Sequence, residues 1–411
     1  MERKSSGMRR RDMLQLTTAA LLATTTSPIA WSGQARTGGN SSGDRIIRIR
    51  HFTVTSKRWK VVGKNSHLDV HGDTATDRLL IINTASGLEG FGSSRTDEAD
   101  AATLLNKDPL EFFEPGRGIV SPLGREDAPL WDLTGKIFNE PVWRILGGYG
   151  PATVPVYDGS IYFSDLDPEY RDRGIPRILE EIDYALELGH RAFKIKVGRG
   201  YQWMPSAAGL TRDIQVVRAI RSHVGPDIKL MVDSNNGYDL ATTKRFLEEA
   251  DIEFFFVEEM FPESVDEDLE LKEWIHSRGW ATLVADGESA RELDHFTPYI
   301  QRGAFDVLQG DMRRFGFTEL RNLARQAAPA GVSLAPHNWG SYLGGFMQVV
   351  LGRGIPNLIM AEQDPAQTDL FDASAFELRD GRMRAPDTPG CGLVLRTDRL
   401  IDETLNWEIH A

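Results

Sequence analysis

The sequence predicts an α/β protein built on a (β/α)8 barrel of the TIM type, with an α+β cap formed by the N-terminal region and the C-terminal tail. Three observations carry that expectation. Between Val154 and Glu362 eight apolar runs recur, each too short for a typical helix and rich in Val, Ile and Phe, as strands buried on both faces of a parallel sheet are. Their spacing is that of βα units: KLMVD closes at Asp233, FFFVEE on Glu258 and TLVADGE at Glu288, 25 and 30 residues apart. Finally, reactive side chains stand at the carboxyl end of run after run, the end at which such barrels carry their active sites.

Taken in order, the chain opens with MRRRDMLQLTTAALLATTTSPIA, where Arg10 and Arg11 precede Met13, Leu14 and a mild apolar segment. It reads as a twin-arginine export signal, too short and too Thr-rich to span a bilayer stably, which places the folded protein in the periplasm or outside the cell. GQARTGGNSSGD follows as a flexible linker, so residues 1–43 are set aside as signal and linker. The single cysteine, Cys391, excludes an intrachain disulfide.

Residues 44–152 form the expected cap. IIRIRHFTVTS and DRLLIINTASGLEGFGSS alternate as antiparallel strands do. Between them, SKRWKVVGKNSH gathers Lys57, Arg58, Lys60 and Lys64 around Trp59. It reads as a hairpin tip, either solvated or, with Trp203 and Met204, closing over an anionic substrate. Helical spacing in APLWDLTGKIFNEPVWRILGG aligns Leu130, Leu133, Ile137, Val142 and Ile145.

The barrel is expected over 153–384. Its runs are VPVYDGS with Tyr157 and Ser160, FKIKV with Lys194 and Lys196, then KLMVD, FFFVEE, TLVADGE, DVLQGD ending at Asp311, VSLAPH ending at His337, and LIMAE ending at Glu362. Of the intervening helices, TRDIQVVRAIRSHVG puts Ile214, Val217, Ile220 and Val224 on one stripe behind Thr211 as N-cap. Residues 385–411 are expected to return to the cap.

Asp233, Glu258 and Glu288 are three hard oxygen ligands on consecutive strand ends, which suits Mg²⁺ and, without Cys or His among them, disfavours zinc. Two bases flank such an ion: Lys196 from the second strand and His337 from the seventh, the latter with Asp311 to fix its tautomer. A cation between two bases is a layout for removing a proton α to a carboxylate, because the cation stabilises the charge that develops. Lys196 must be neutral to act, and repulsion from Lys194 is expected to favour that form.

KIK at 194–196, DSN at 233–235, the paired glutamates 258 and 259, GE at 287–288, Asp311 with His337, Glu362, the cap phrase WDLTGKIFNEPVWRILGG and the closing PDTPGCGL together resemble the mandelate racemase subgroup of the enolase superfamily (the mandelate racemase/muconate lactonizing enzyme family). The resemblance implies a modified, enolase-like barrel, with Lys196 and the His337–Asp311 dyad as the two acid/base groups. It also implies that Lys194 and Glu362 contact the carboxylate or enolate oxygens and that Asn235 supports the metal site. Tyr157, Ser160, Asn235, Asn236 and Asn338 form a polar rim suited to a polyol, so Tyr157 and Asn235, with Trp59 from the cap, are candidate substrate-binding residues.

The reading is therefore a Mg²⁺-dependent dehydratase of an acid sugar, giving a 2-keto-3-deoxy acid. Racemisation or epimerisation of a 2-hydroxy acid is the alternative, with lactone cycloisomerisation third. A non-catalytic, exported sugar-acid binding protein is the rival outside enzymes. The net charge of −13 disfavours nucleic acid and anionic membranes as partners. The resemblance also implies a homo-oligomer.

Overall fold

Eight parallel strands ring the centre: Thr153–Ile161, Ala192–Lys196, Lys229–Asp233, Phe256–Glu258, Leu283–Asp286, Val307–Leu308, Ser333–Leu334 and Ala361–Gln363. They belong to a computed structural model that describes residues 41–411; the twin-arginine segment and most of the Gly/Ser-rich stretch lie outside the described residues. Each strand pairs with the next, the eighth pairs with the first through Glu362 and Tyr157, and a bridge between Leu334 and Leu358 joins the seventh to the eighth. The ring closes as the sequence predicts.

The interior is packed. Tyr157, Ala192, Met231, Phe256, Ala285, Val307, Ala335 and Met360, one residue from or directly beside each strand, meet in a layer in which small and large side chains interleave. Helices cover the outside, and the one at Ser206–Val224 buries Ile214, Val217 and Ile220 against the barrel, with Val224 half-buried. Thr211 is not its N-cap. The helix starts five residues earlier behind Pro205, and the Thr211 hydroxyl donates back to the Ala207 carbonyl at 2.9 Å.

The cap is an antiparallel sheet on which Ile46–Val62 pairs with Gly72–Thr84, and Gly72–Thr84 with Glu89–Ser93. The C-terminal strand Thr404–His410 pairs with the start of Ile46–Val62, so the tail does come back to this sheet. Helix Ala128–Phe138 lies so close to the third strand that a β-carbon on Gly90 or Gly92 would collide with Leu133 or Ala128. Ser41, Ser42 and Gly43, expected as flexible linker, are instead tied to the Asp108 carboxylate by four hydrogen bonds of 2.7–2.9 Å.

SKRWKVV is not a hairpin tip. It continues the first cap strand to Val62, so its residues alternate between the two faces. Lys57 is exposed beside Asp73, and Trp59 packs at a tilt on Tyr184 of the outer helix Ile175–Glu187, ring centroids 4.4 Å apart. Arg58 and Lys60 point inward. Arg58 makes a bidentate pair with Asp364 at 2.9 and 2.7 Å, while Lys60 reaches Glu181 at 2.6 Å and the Ser160 carbonyl at 2.8 Å. Both side chains of the Lys60–Glu181 pair are fully buried. Lys60→Ala would leave the buried Glu181 carboxylate with only the longer contact to Arg177 at 3.4 Å as an ion pair, and we expect it to lower unfolding stability by about 3 kcal/mol in urea titrations.

Candidate active site

Strand register assembles the site. Lys196 lies opposite Asp233 on the neighbouring strand, and Asp233 lies opposite Glu258 on the next, so three chemical groups stand side by side at one end of the barrel. Glu288 lies two residues past its strand, in a turn at Gly287 whose φ of 110° favours glycine. Carboxylate oxygens of Asp233, Glu258 and Glu288 lie within 4.8 Å of one another.

The donor set fits a hard divalent cation. Glu288 Oε2 is buried and accepts no hydrogen bond, with only His337 Nε2 nearby at 3.4 Å, so it has a lone pair to give. Charge tells the same story. Four carboxylates, those of Asp233, Glu258, Glu288 and Glu362, crowd near two ammonium groups, an excess of acidic groups that a divalent ion would offset. Burial pushes Glu258 above the ordinary carboxylate range in spite of Lys194, with Asp233 and Glu362 adding to the push. Glu259, which does not belong to the triad, is also pushed well up by burial and by Glu288 and Asp233.

Lys194 is buried at the hub. Its Nζ lies 2.6 Å from Glu258, 2.9 Å from Glu362 and 3.5 Å from Asp233. Glu362 also accepts the Asn338 amide at 2.7 Å. Lys196 pairs closely with Asp233 and donates to Asn235 Oδ1 at 2.8 Å; Asn235, itself left-handed at φ 46°, passes its amide to Glu259 at 3.0 Å. Burial alone would lower the Lys196 ammonium, but the Asp233 carboxylate holds it above the lysine range. The expected lowering by Lys194 is present and outweighed, because the opposite charge is the nearer one.

On the opposite wall, His337 Nδ1 lies 2.8 Å from Asp311 Oδ2, which fixes the ring and directs Nε2 toward Glu288. Burial would depress the imidazole, yet Glu288 and Asp311 raise it to about 9. Asp311 is held well below the carboxylate range by that contact, against burial.

Three of the expected rim residues are fully buried: Tyr157 in the barrel layer, its ring 5.7 Å from Lys194 Nζ, and Ser160 and Asn338. Trp59 is excluded by its place against the outer helix. Other residues occupy the space. Gln309, two positions before Asp311, donates to Glu258 Oε2 at 2.6 Å, completing that carboxylate's partners. Tyr162 lies beside Lys196, its ring centroid 5.1 Å from Nζ; Trp339 stacks on Tyr162 at 4.9 Å and His71 meets it edge-on at 4.8 Å. Cap and barrel meet around them: Ser66 donates to the Ser234 carbonyl at 2.6 Å and Trp203 to the Asn65 carbonyl at 2.6 Å. Trp203 is thus next to the cap, as expected, but against residues 63–71 and not Trp59.

A family model described as Enolase C-terminal domain-like matches residues 177–399, more than half of the chain. The chain belongs to the enolase superfamily. The galacturonate dehydratase of a Geobacillus species, solved with D-galacturonate and 5-keto-4-deoxy-D-galacturonate, is 32% identical with a TM-score of 0.82, covering 89% of this chain and 99% of that one. A mandelate racemase/muconate lactonizing protein from Geobacillus sp. Y412MC10, solved with magnesium and tartrate, is 31% identical at TM-score 0.83, over 90% and 98%. Arabinonate dehydratase of Saccharolobus solfataricus is 28% identical over 345 residues, 77% of this chain and 87% of that protein. The enolase-superfamily chain is an enzyme of the lyase or isomerase type, and magnesium is its cofactor. Among the described residues no helix is long and apolar enough to cross a membrane.

The lysine–glutamate contact depends on a glycine. A β-carbon on Gly159 would collide with Glu362 Oε1, the oxygen that meets Lys194. Gly159→Ala is expected to displace that carboxylate and lower kcat by about 10²-fold, the scale of an ångström-level misplacement. Magnesium affinity, measured by calorimetry, should change much less.

Proposed function

We propose that this enzyme belongs to the mandelate racemase subgroup and dehydrates an acid sugar, removing the proton α to the carboxylate and then the β-hydroxyl. The observation that carries this reading is the placement of two proton-transfer groups at opposite edges of one three-carboxylate site: Lys196 at Asp233, and His337 at Glu288. Magnesium on the triad supplies positive charge against the developing negative charge of the substrate. With Asp233 committed to the metal, its hold on the Lys196 proton would be relieved; Lys196 in its neutral form takes the α-proton, and the C–H electrons become those of an enediolate. The His337 imidazolium, kept charged by Asp311, gives its proton to the β-hydroxyl, which departs as water when the C–O bond breaks. The enol so formed becomes the keto product. Lys194 and Glu362 hold the floor of the site, and Tyr162, Trp339 and His71 exclude water from the Lys196 side.

Dehydration is favoured over racemisation because the histidine is set up as an acid and because two of the relatives above are dehydratases, of galacturonate and of arabinonate. The test is a panel of aldonates, aldarates and hexuronates with Mg²⁺, with the α-keto, β-deoxy product trapped as its semicarbazone. Interconversion of α-epimers without loss of water would make the enzyme a racemase. No change in any acid sugar would remove the reading.

A further inference from the structure

The helix that follows Asp311 is broken, and the break is built in. Met312–Ala327 is interrupted at Gly316, whose φ of 63° and ψ of −170° are not helical, so the chain starts a helix twice. Asp311 caps the first start, accepting the amides of Arg313 at 2.8 Å and Arg314 at 2.9 Å. The second start is capped from the other domain. Asp127, fully buried at the head of cap helix Ala128–Phe138, accepts the amides of Phe317 and Thr318, each at 2.9 Å, and the Trp131 indole N–H at 3.0 Å. A side chain at Gly316 would collide with the Arg125 carbonyl and the Asp127 carboxylate, so the cap loop and the break are fitted to one another.

Between the two caps lies one isolated turn, Met312–Phe315; Phe315 packs on Phe296 and under Arg125, and the other three residues donate hydrogen bonds toward the active site. The Met312 amide donates to the His337 carbonyl at 3.0 Å, and Arg313 donates to the Trp339 carbonyl at 2.6 Å. Arg314 donates to the carbonyls of Glu288 and Ala290 at 3.2 and 2.7 Å. A single helical turn is unstable unless both ends are held, because nucleation fixes several residues for one hydrogen bond. Here one end is held by a residue of the acid/base dyad and the other by the cap.

We propose that Asp127 is a positioning residue: by capping the helix beyond Gly316 it fixes the turn Met312–Phe315, and through that turn it sets both the Asp311–His337 dyad and the backbone of the magnesium ligand Glu288. The proposal rests on the reading of that dyad and triad given above. Asp127 touches neither substrate nor metal. Its effect is transmitted through a carboxylate, an arginine and two carbonyls.

The experiment compares Asp127→Ala and Asp127→Asn with the wild-type chain. Three quantities are read: amide hydrogen exchange by mass spectrometry, Mg²⁺ affinity by calorimetry, and kcat and KM with the acid sugar found in the panel. Asp127→Ala should speed exchange in 311–318 and 288–292 while the remote helix 206–224 is unchanged. Mg²⁺ affinity and kcat should each fall by about tenfold or more, with KM within about twofold, the scale for residues that orient metal ligands. Asn keeps a capping oxygen and should restore most of each loss. Should Asp127→Ala not fold, Arg314→Met, at a partly exposed position, cuts the same chain of contacts and must lower Mg²⁺ affinity. Unchanged exchange in 311–318, a uniform rise throughout the chain with kcat intact, or unchanged Mg²⁺ affinity in Arg314→Met would overturn the proposal. A wild type that turns over no acid sugar would count against the proposed reaction, and exchange and Mg²⁺ affinity would still decide the role of Asp127.

Discussion

Glu288→Gln is expected to lower turnover by about 10³-fold, the scale for losing a preorganised electrostatic contact with a developing charge. The fold should survive. Glu288 lies beyond the end of its strand, partly exposed, and its Oε2 accepts no hydrogen bond. Asp233 and Glu258 differ: both are fully buried and paired with Lys196 and Lys194, so changing either would remove a counter-charge from a buried ammonium and confuse a stability effect with a catalytic one. Removing one of four crowded carboxylates should leave the melting temperature in EDTA unchanged or raised, while calorimetry shows no Mg²⁺ binding. Full activity of the wild type in excess EDTA would contradict the metal assignment.

The second large effect divides labour between the bases. Lys196→Ala should abolish both α-proton exchange in D₂O and product formation, because the only general base on its wall is gone. His337→Asn should still exchange the α-proton while forming product at about 10²–10⁴-fold lower rate, since the leaving hydroxyl has lost its acid. The geometry supports this division: Lys196 faces Asp233 and Asn235, whereas His337 is held by Asp311, and Glu288 and Asp311 raise its imidazole toward the charged form. The opposite pattern would make His337 the abstracting base and reverse the configuration required at the α-carbon.

Much of this site is legible in the sequence because parallel strands place their ends in register. A charge closing each apolar run is therefore a neighbour of the next, and Lys196, Asp233 and Glu258 follow directly. What was misread depends on tertiary contacts that no local pattern encodes. Lys57, Arg58, Trp59 and Lys60 look like a solvated tip, yet a strand alternates, and its inward face meets Asp364 and Glu181, which lie far along the chain. Tyr157 sits on a strand end by position but points into the interior layer, because the first strand runs on to Ile161. Gln309 carries no charge, so no sequence pattern marks it, although it lies on the same run as Asp311. Tyr162, Trp339 and His71 come from two barrel loops and a cap loop, so only the folded chain brings them together.

The central claim is that this enzyme breaks the C–H bond next to a substrate carboxylate through a side-chain base. An acid sugar deuterated at that carbon, turned over by the Mg²⁺-loaded wild type in ordinary water, tests it most directly. The account predicts that the deuterium leaves to solvent, one per turnover, and that the β-carbon of the keto product carries hydrogen from water. Product that retains the deuterium on the adjacent carbon would mean a direct hydride shift, with no base, and would contradict it.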